Sequence, residues 1–306
     1  MSLSLDDRLR RFSSGLPAPR PPAPLLRDLP GGVEVEGAEG SFYLIRRYHP
    51  GSIRLPPADP ERLKRNLRLL YGIGPKTEAR LRSLGFESLE ALLAHERWAI
   101  QARELLSAIE AGDIRRLRVR GAGDRDLLAF FDPGDLVFLD LETTGLCPSL
   151  PLFLVGLLYA AEGGLHLVQF LARRFEEERA VLAAVAAELP RFKAIVTYNG
   201  RSFDLPYLAG RLLFHRLPCR FDHVHLDLLR HARRRYRGWL PDCRLTTVEA
   251  AFLSRPPRLD DVPGQLVPEL YHEFTRTQDP AIIEAILRHN ARDLLSLAEL
   301  IRLVGD

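Results

Sequence analysis

The chain has 306 residues, 46% of them hydrophobic and 27% charged, which is enough apolar mass for a sizeable core and about two domains and excludes wholesale disorder. No apolar run reaches membrane-span length, the opening Met-Ser-Leu-Ser-Leu-Asp-Asp-Arg is not a signal peptide, and Cys147, Cys219 and Cys243 lack zinc-ligand spacing. A cytoplasmic protein with reduced thiols and no membrane partner is therefore expected. The net charge of +3 does not announce a nucleic-acid partner. Only Lys64, Lys76 and Lys193 among the 43 basic Lys and Arg residues are lysines; arginine grips phosphate bidentately, although a GC-rich coding sequence is the preferred account of the bias.

Ten of the 23 prolines lie in the first 60 residues, most densely at 17–24, so residues 1–30 read as a flexible or extended arm. Residues 33–35 and 41–48 can pair as short strands around Gly37 and Gly40, which makes 1–59 a Pro-rich arm with short strands. Residues 60–112 turn helical in period, with Leu63, Leu67 and Leu70, then Ala79, Leu81 and Leu84, then Leu89, Leu92 and Leu93. Within them, Leu70-Tyr-Gly-Ile-Gly-Pro-Lys76 resembles a helix-hairpin-helix motif. Gly72 and Gly74 allow a tight turn whose backbone N–H groups can approach a phosphate, and Lys76 adds a point charge. Such contacts read only the nucleic-acid backbone; the same residues would also serve a plain helical hairpin used for packing. The basic stretch 115–120 and Gly121-Ala-Gly123 mark a linker over 113–129.

From residue 130 the pattern is mixed α/β. Residues 136–141, 152–159 and 165–171 read as consecutive strands, followed by a helix (176–189), a strand (194–198), a helix (203–215) and a short strand (223–226). A long helix from Pro280 to about residue 303 closes the chain. The pattern is that of a mixed sheet flanked by helices, preceded by a small, mostly helical domain.

Four acidic residues stand out. Asp140 and Glu142 lie two apart at the end of an apolar strand, so their side chains share a face. Carboxylates there are costly to bury without positive charge, which two divalent cations about 3.5–4 Å apart could supply in phosphoryl hydrolysis. Oxygen donors suit hard ions such as Mg²⁺ or Mn²⁺. Asp204 sits near a helix start, after a strand and the turn at Asn199 and Gly200. His289 and Asp293 are four apart on a helix and share a face. Taken singly, Asp204 could serve the helix N-terminus and Asp293 could pair with Arg292 or Arg288; together, the order and placement favour catalysis.

These residues fall in Phe138-Leu-Asp-Leu-Glu-Thr-Thr-Gly-Leu146, Tyr198-Asn-Gly-Arg-Ser-Phe-Asp204 and His289-Asn-Ala-Arg-Asp-Leu-Leu-Ser-Leu297. With Phe153-Leu-Val-Gly156, His225-Leu-Asp-Leu-Leu229 and Asp261-Val-Pro-Gly264, they make residues 130–306 resemble a DEDD-type 3′–5′ exonuclease domain, and more closely the YprB-type family. The resemblance implies a ribonuclease H-like fold with a five-stranded sheet, two Mg²⁺ or Mn²⁺ ions, and DNA or RNA as partner at single-stranded or frayed 3′ ends. It also implies that Asp140 bridges both ions, Glu142 and Asp293 complete one site, and Asp204 holds the other, partly through water. His289 would orient or deprotonate the attacking water. Its three-residue gap to Asp293 is that of the family's Tyr subgroup; the His subgroup has four, and one residue turns a helical side chain by about 100°.

Asn199 and Asp227 are expected as supports of the site, with Asp227 equally readable as the start of a helix. The basic run Arg230, His231, Arg233, Arg234, Arg235 and Arg237 could guide a strand, with Tyr236 and Trp239 stacking on bases, or could be a solvated helix face. Tyr207 and Phe214 read as core. The rival to an exonuclease is a non-catalytic nucleic-acid-binding or scaffold protein that retains the fold.

Overall fold

The computed structural model describes residues 25–57, 59–218, 220–253, 258 and 261–304. Most of the Pro-rich arm and Cys219 lie outside the described residues. The framework is one seven-stranded mixed sheet in the order β1-β2-β5-β4-β3-β6-β7. Its strands are β1 (Gly32–Gly37), β2 (Gly40–His49), β3 (Leu136–Thr143), β4 (Leu152–Ala161), β5 (Gly164–Leu171), β6 (Ala194–Thr197) and β7 (Val224–Asp227). The five strands expected after residue 130 are all present. The sheet is larger than expected because the β1–β2 hairpin pairs antiparallel with β5, Tyr43 opposite Leu171 through His49 opposite Leu165. An antiparallel edge accepts another strand, and the consecutive Phe42, Tyr43, Leu44 and Ile45 are all buried there, covered on both faces.

Period-two alternation along β3 sends its side chains to two cores. Val137, Leu139 and Leu141 pack on one face with α6 (Glu178–Glu188), α7 (Asp204–Phe214) and α10 (Val267–Thr277). Leu136 and Phe138 pack on the other with the last helix, α11 (Pro280–Leu300). Asp140 and Glu142 continue that second row.

The helical segment comprises α1 (Pro60–Lys64), α2 (Pro75–Ser83) and α3 (Ala99–Glu110). Its buried Leu63, Leu67, Leu89 and Leu92 belong to the same core as Phe138 and Leu226. The stretch expected as a linker folds into two short helices, α4 (Ile114–Val119) and α5 (Asp124–Leu127), because Leu117, Leu127 and Leu128 join that core. The end of the expected arm is also packed. Leu26 and Leu29 are buried, Leu26 N–H donates to Gln278 Oε1 at 3.1 Å, and the fully buried Arg173 donates to the Leu26 carbonyl at 3.0 Å. No helix among the described residues is long and apolar enough to cross a membrane.

Buried charge is placed where it joins elements. Glu178 on α6 accepts from Arg211 Nε on α7 at 2.7 Å, and from the Leu152 backbone N–H of β4 at 2.9 Å. Both side chains are almost wholly enclosed, so removing one partner strands the other charge. Arg211→Leu is predicted to cost about 3–5 kcal/mol in urea unfolding, and a Glu178→Leu/Arg211→Leu double variant to recover part of that loss. Additive losses in the double variant would contradict the pairing.

Candidate active site

The C-terminal ends of the parallel strands β3, β6 and β7 lie along one edge of the sheet. β3 delivers Asp140 and Glu142 there, with a register irregularity against β4 at Glu142/Thr143 that ends the regular strand. Asp204 arrives from the side as the first residue of α7, 5% exposed. The turn feeding it is tied down by Asp227, whose carboxylate accepts from the backbone N–H groups of Asn199 (2.9 Å) and Arg201 (3.1 Å). Asp227 also caps α8 (Leu228–Tyr236), accepting from Leu229 N–H at 3.1 Å. One side chain thus caps α8 and ties down the turn that leads to Asp204. Asn199 takes a left-handed backbone (φ 70°), a conformation asparagine tolerates better than most residues. Gly200 has no room for a Cβ, which would overlap the Thr197 side chain.

The last helix completes the cluster. His289 Nδ1 lies 3.1 Å from Asp261 Oδ1, and His289 Nε2 lies 3.9 Å from Asp293 Oδ2. The three-residue gap thus leaves His289 facing the acidic residues. Between them, Asn290 is fully buried and donates from Nδ2 to Asp140 Oδ2 at 2.8 Å. Its Oδ1 accepts from Gln169 Nε2 on β5 at 2.8 Å, and Gln169 also donates to the Leu287 carbonyl at 2.8 Å. Gln169, Asn290 and Asp140 form a relay across three elements. The relay depends on Gly156, which stands opposite both Asp140 on β3 and Gln169 on β5. A Cβ at Gly156 would lie 2.6 Å from Leu294 Cδ1 and closer still to Asn290 Oδ1.

Electrostatics show the four carboxylates acting on one another. Burial, and then Asp293, Glu142 and Asp204, push the Asp140 carboxyl well above its usual range, while the Asn290 hydrogen bond pulls it back. Burial, Asp293, Asp204 and Asp261 do the same to Glu142. Burial pushes Asp204 up to about 7, against the pull of the backbone N–H groups of Asp204 and Leu141. Asp293 is raised by burial despite the opposing charges of His289 and Arg258. Each carboxylate is enclosed beside like charges, a condition that positive charge relieves.

Arg258 brings positive charge into the cluster. Arg258 donates from Nη1 to Asp293 Oδ1 at 2.5 Å and to Asp261 Oδ2 at 2.9 Å, and from Nε to Glu249 Oε2 at 2.9 Å. Among the described residues no group of three or more His, Cys, Asp or Glu side chains is already set to hold a metal ion. The donor chemistry nonetheless fits a hard divalent ion: the converging groups are carboxylates, and their shared burial leaves negative charge that one guanidinium at Asp293 does not offset.

The residues expected to touch nucleic acid fall elsewhere. Gly72 takes a positive φ of 86° and a Cβ there would lie 3.2 Å from Trp98, whereas a Cβ at Gly74 would meet nothing within 4 Å, so the turn is packed on one side and open on the other. Lys76, Arg233, Arg234 and Arg235 are all exposed. Arg233 lines a cleft of about 690 Å³ with Arg237 and Asp242. Trp239 is 87% exposed, and the half-buried Tyr236 packs on Phe252 with ring centres 4.3 Å apart. Tyr207 is core, donating to the Leu150 carbonyl at 2.9 Å. Phe214 is not: it lies exposed under the Arg211 guanidinium, 4.2 Å from its ring centre, because the last turn of α7 leaves the sheet. Cys147 and Cys243 are free thiols.

Asn290 and Gly156 lay inside the quoted motifs but carried no assigned role, since neither is chemically reactive. Arg258 left no signal, sitting in Arg255-Pro-Pro-Arg258 amid many other arginines.

The chain belongs to the RNase_H superfamily, whose family model matches residues 137–304 and so takes in Asp140, Glu142, Asp204, His289 and Asp293 together. An uncharacterized protein, YprB, of Bacillus subtilis (strain 168) is 36% identical over 174 residues, which are 56% of this chain; the match spans 42% of the relative's own length. Among solved structures, the family B DNA polymerase of the hyperthermophilic archaeon Pyrobaculum calidifontis overlaps 56% of this chain and 27% of its own, with 19% identity and a TM-score of 0.42. At that level the overlap carries no functional weight.

Gly156→Ala is predicted to destabilise the protein by about 1–3 kcal/mol, as overpacking of a filled contact does. Thermal unfolding checks this, and wild-type stability in the variant would show that α11 does not depend on that close approach.

Proposed function

We propose that the protein is a metal-dependent 3′–5′ exonuclease that hydrolyses phosphodiester bonds at DNA or RNA ends with two Mg²⁺ or Mn²⁺ ions. The observation that carries the proposal is the convergence of Asp140, Glu142, Asp204 and Asp293, from a strand and two helices, into one cluster, Glu142 and Asp204 buried and Asp140 and Asp293 half-buried, whose members raise one another's pKa. Membership of the RNase_H superfamily supports it.

Asp140, Glu142, Asp204 and Asp293 would hold the ions. Bound there, divalent cations lower the pKa of water and stabilise charge on the attacking and leaving oxygens. The chain's own groups do the rest. Asn290 fixes one oxygen of Asp140 by a hydrogen bond whose far end is anchored on Gln169. Asp227 sets the backbone that presents Asp204. His289, with Nδ1 3.1 Å from Asp261 and Nε2 3.9 Å from Asp293, would take the proton of the attacking water. Arg258 pairs with Asp293 through Nη1, so an ion held by Asp293 would share that carboxylate with the guanidinium.

The second reading, a scaffold that has lost turnover, draws on the same Arg258 contact, which closes off Asp293. A time course on end-labelled single-stranded DNA and RNA separates the two. The expected outcome is a ladder shortening from the 3′ end with Mg²⁺ or Mn²⁺, abolished by chelator and by Asp140→Asn in a folded protein. Cleavage retained by pure Asp140→Asn would sink the proposal, and no cleavage by wild type on either strand would favour the scaffold.

Arg258→Gln gives an independent check by thermal unfolding. In chelator the variant is expected to melt below wild type, because Glu249, Asp261 and Asp293 lose their shared counter-ion. Mn²⁺ is expected to raise its Tm by more than it raises that of wild type. Equal Mn²⁺ shifts would show that the guanidinium and the ion do not compete.

A further inference from the structure

A cleft of about 760 Å³ lies away from the carboxylates, where the loop between α1 and α2 faces α4. Its lining is strongly one-signed. Arg68, Arg115, Arg116 and Arg120 contribute four guanidinium groups, and Asp113 is the lone acid. Asp113 is already engaged, accepting from the Arg116 backbone N–H at 2.9 Å as the cap of α4. Arg116 pairs with Glu104 at 2.7 Å and Arg68 stands 3.8 Å from Glu78, whereas Arg115 and Arg120 make no ion pair among the described residues. Apolar surface accompanies this charge: Tyr71 is 81% and Val119 82% exposed, both on the cleft wall. A tyrosine and a valine left in water beside unpaired arginines have no packing role in the folded chain.

We infer that this cleft is a second, non-catalytic binding site for a single nucleic-acid strand, with Arg115 and Arg120 on successive phosphates and Tyr71 under a base. A strand repeats an anionic group and a flat ring at every nucleotide, which matches separated arginines alternating with an exposed aromatic. An acidic peptide would use the arginines and leave Tyr71 without purpose. The cleft is rigidly tied to the site edge: Arg118, on the opposite side of α4, donates to the His225 carbonyl of β7 at 2.9 Å. Two residues on, Asp227 holds the turn that presents Asp204. The basic stretch 115–120, expected to be a linker, thereby becomes the wall that positions substrate relative to the carboxylates.

The inference rests on the nucleic-acid reading proposed above, and the test keeps the two apart. Binding of a fluorescein-labelled single-stranded oligonucleotide to the full chain is followed by anisotropy in chelator, across a salt series. Arg115→Glu/Arg120→Glu is expected to weaken binding by about tenfold or more, and to reduce the slope of log Kd against log salt by about 1.4, near 0.7 for each phosphate lost. Tyr71→Ala is expected to weaken binding by about tenfold with the slope unchanged. Metal-supported hydrolysis of a minimal phosphodiester too short to reach the cleft stays at the wild-type rate in both variants. Should charge reversal unsettle the fold, Arg115→Gln/Arg120→Gln must still show the reduced slope. Wild-type affinity and slope in the arginine variants overturn the inference. So does displacement of the oligonucleotide from the cleft by a poly-glutamate peptide of equal charge together with an inert Tyr71→Ala, which marks a site for acidic protein. Absence of oligonucleotide binding by wild type overturns the cleft site too. In that case Asp140-dependent hydrolysis of the minimal phosphodiester shows the catalytic reading surviving alone, and its absence takes both down.

Discussion

The close approach of α11 to the sheet over Gly156 is the constraint on which the site depends. A helix normally stands off a sheet by the depth of its side chains, too far for a short amide to reach a strand carboxylate. With hydrogen alone at Gly156, Asn290 descends into the sheet and meets both Asp140 and Gln169. That descent brings His289 and Asp293 down one helical face to the level of Glu142 and Asp204. The apolar row Ala291, Leu294, Leu297 and Ala298 on the same helix buries itself against Phe138 and Leu158, so the packing that stabilises the fold also sets the height of the catalytic candidates.

The cluster that results is electrostatically unfavourable by itself. Four carboxylates are taken from water, and each is raised by burial before any neighbour is considered. Evolved sites accept such a cost where the charge has a use. The fold contains the strain with groups that are not acidic: the amide of Asn290, the backbone N–H groups around Asp204, and the guanidinium of Arg258. Only the last is a full positive charge, and it reaches Asp293 rather than the Asp140–Glu142 pair.

Much of this was legible in the sequence because it rested on local period. The alternation through Leu136–Thr143 fixed which residues of β3 share a face, and the four-residue spacing of His289 and Asp293 put both on one side of a helix. The strands after residue 130 were marked by apolar runs between turn residues. What escaped were relations between distant segments. Nothing local in residues 40–49 says that they pair with β5, and the resemblance covered only the chain after residue 130. Leu117, Leu127 and Leu128 are too few to announce that residues 113–129 are core, and the arginines around them read as a linker. Phe214, expected as core, lies exposed because exposure depends on what a helix end meets, which composition does not encode. Arg258 was invisible for the same reason: its partners Glu249, Asp261 and Asp293 come together only in the folded chain.

The central claim, that these carboxylates are a divalent-ion site, is tested most directly by the anomalous difference density of crystals grown with Mn²⁺. The account predicts ion peaks among Asp140, Glu142, Asp204 and Asp293, with Arg258 withdrawn from Asp293. A map empty at that cluster, with Arg258 still seated on Asp293 at saturating Mn²⁺, would contradict it.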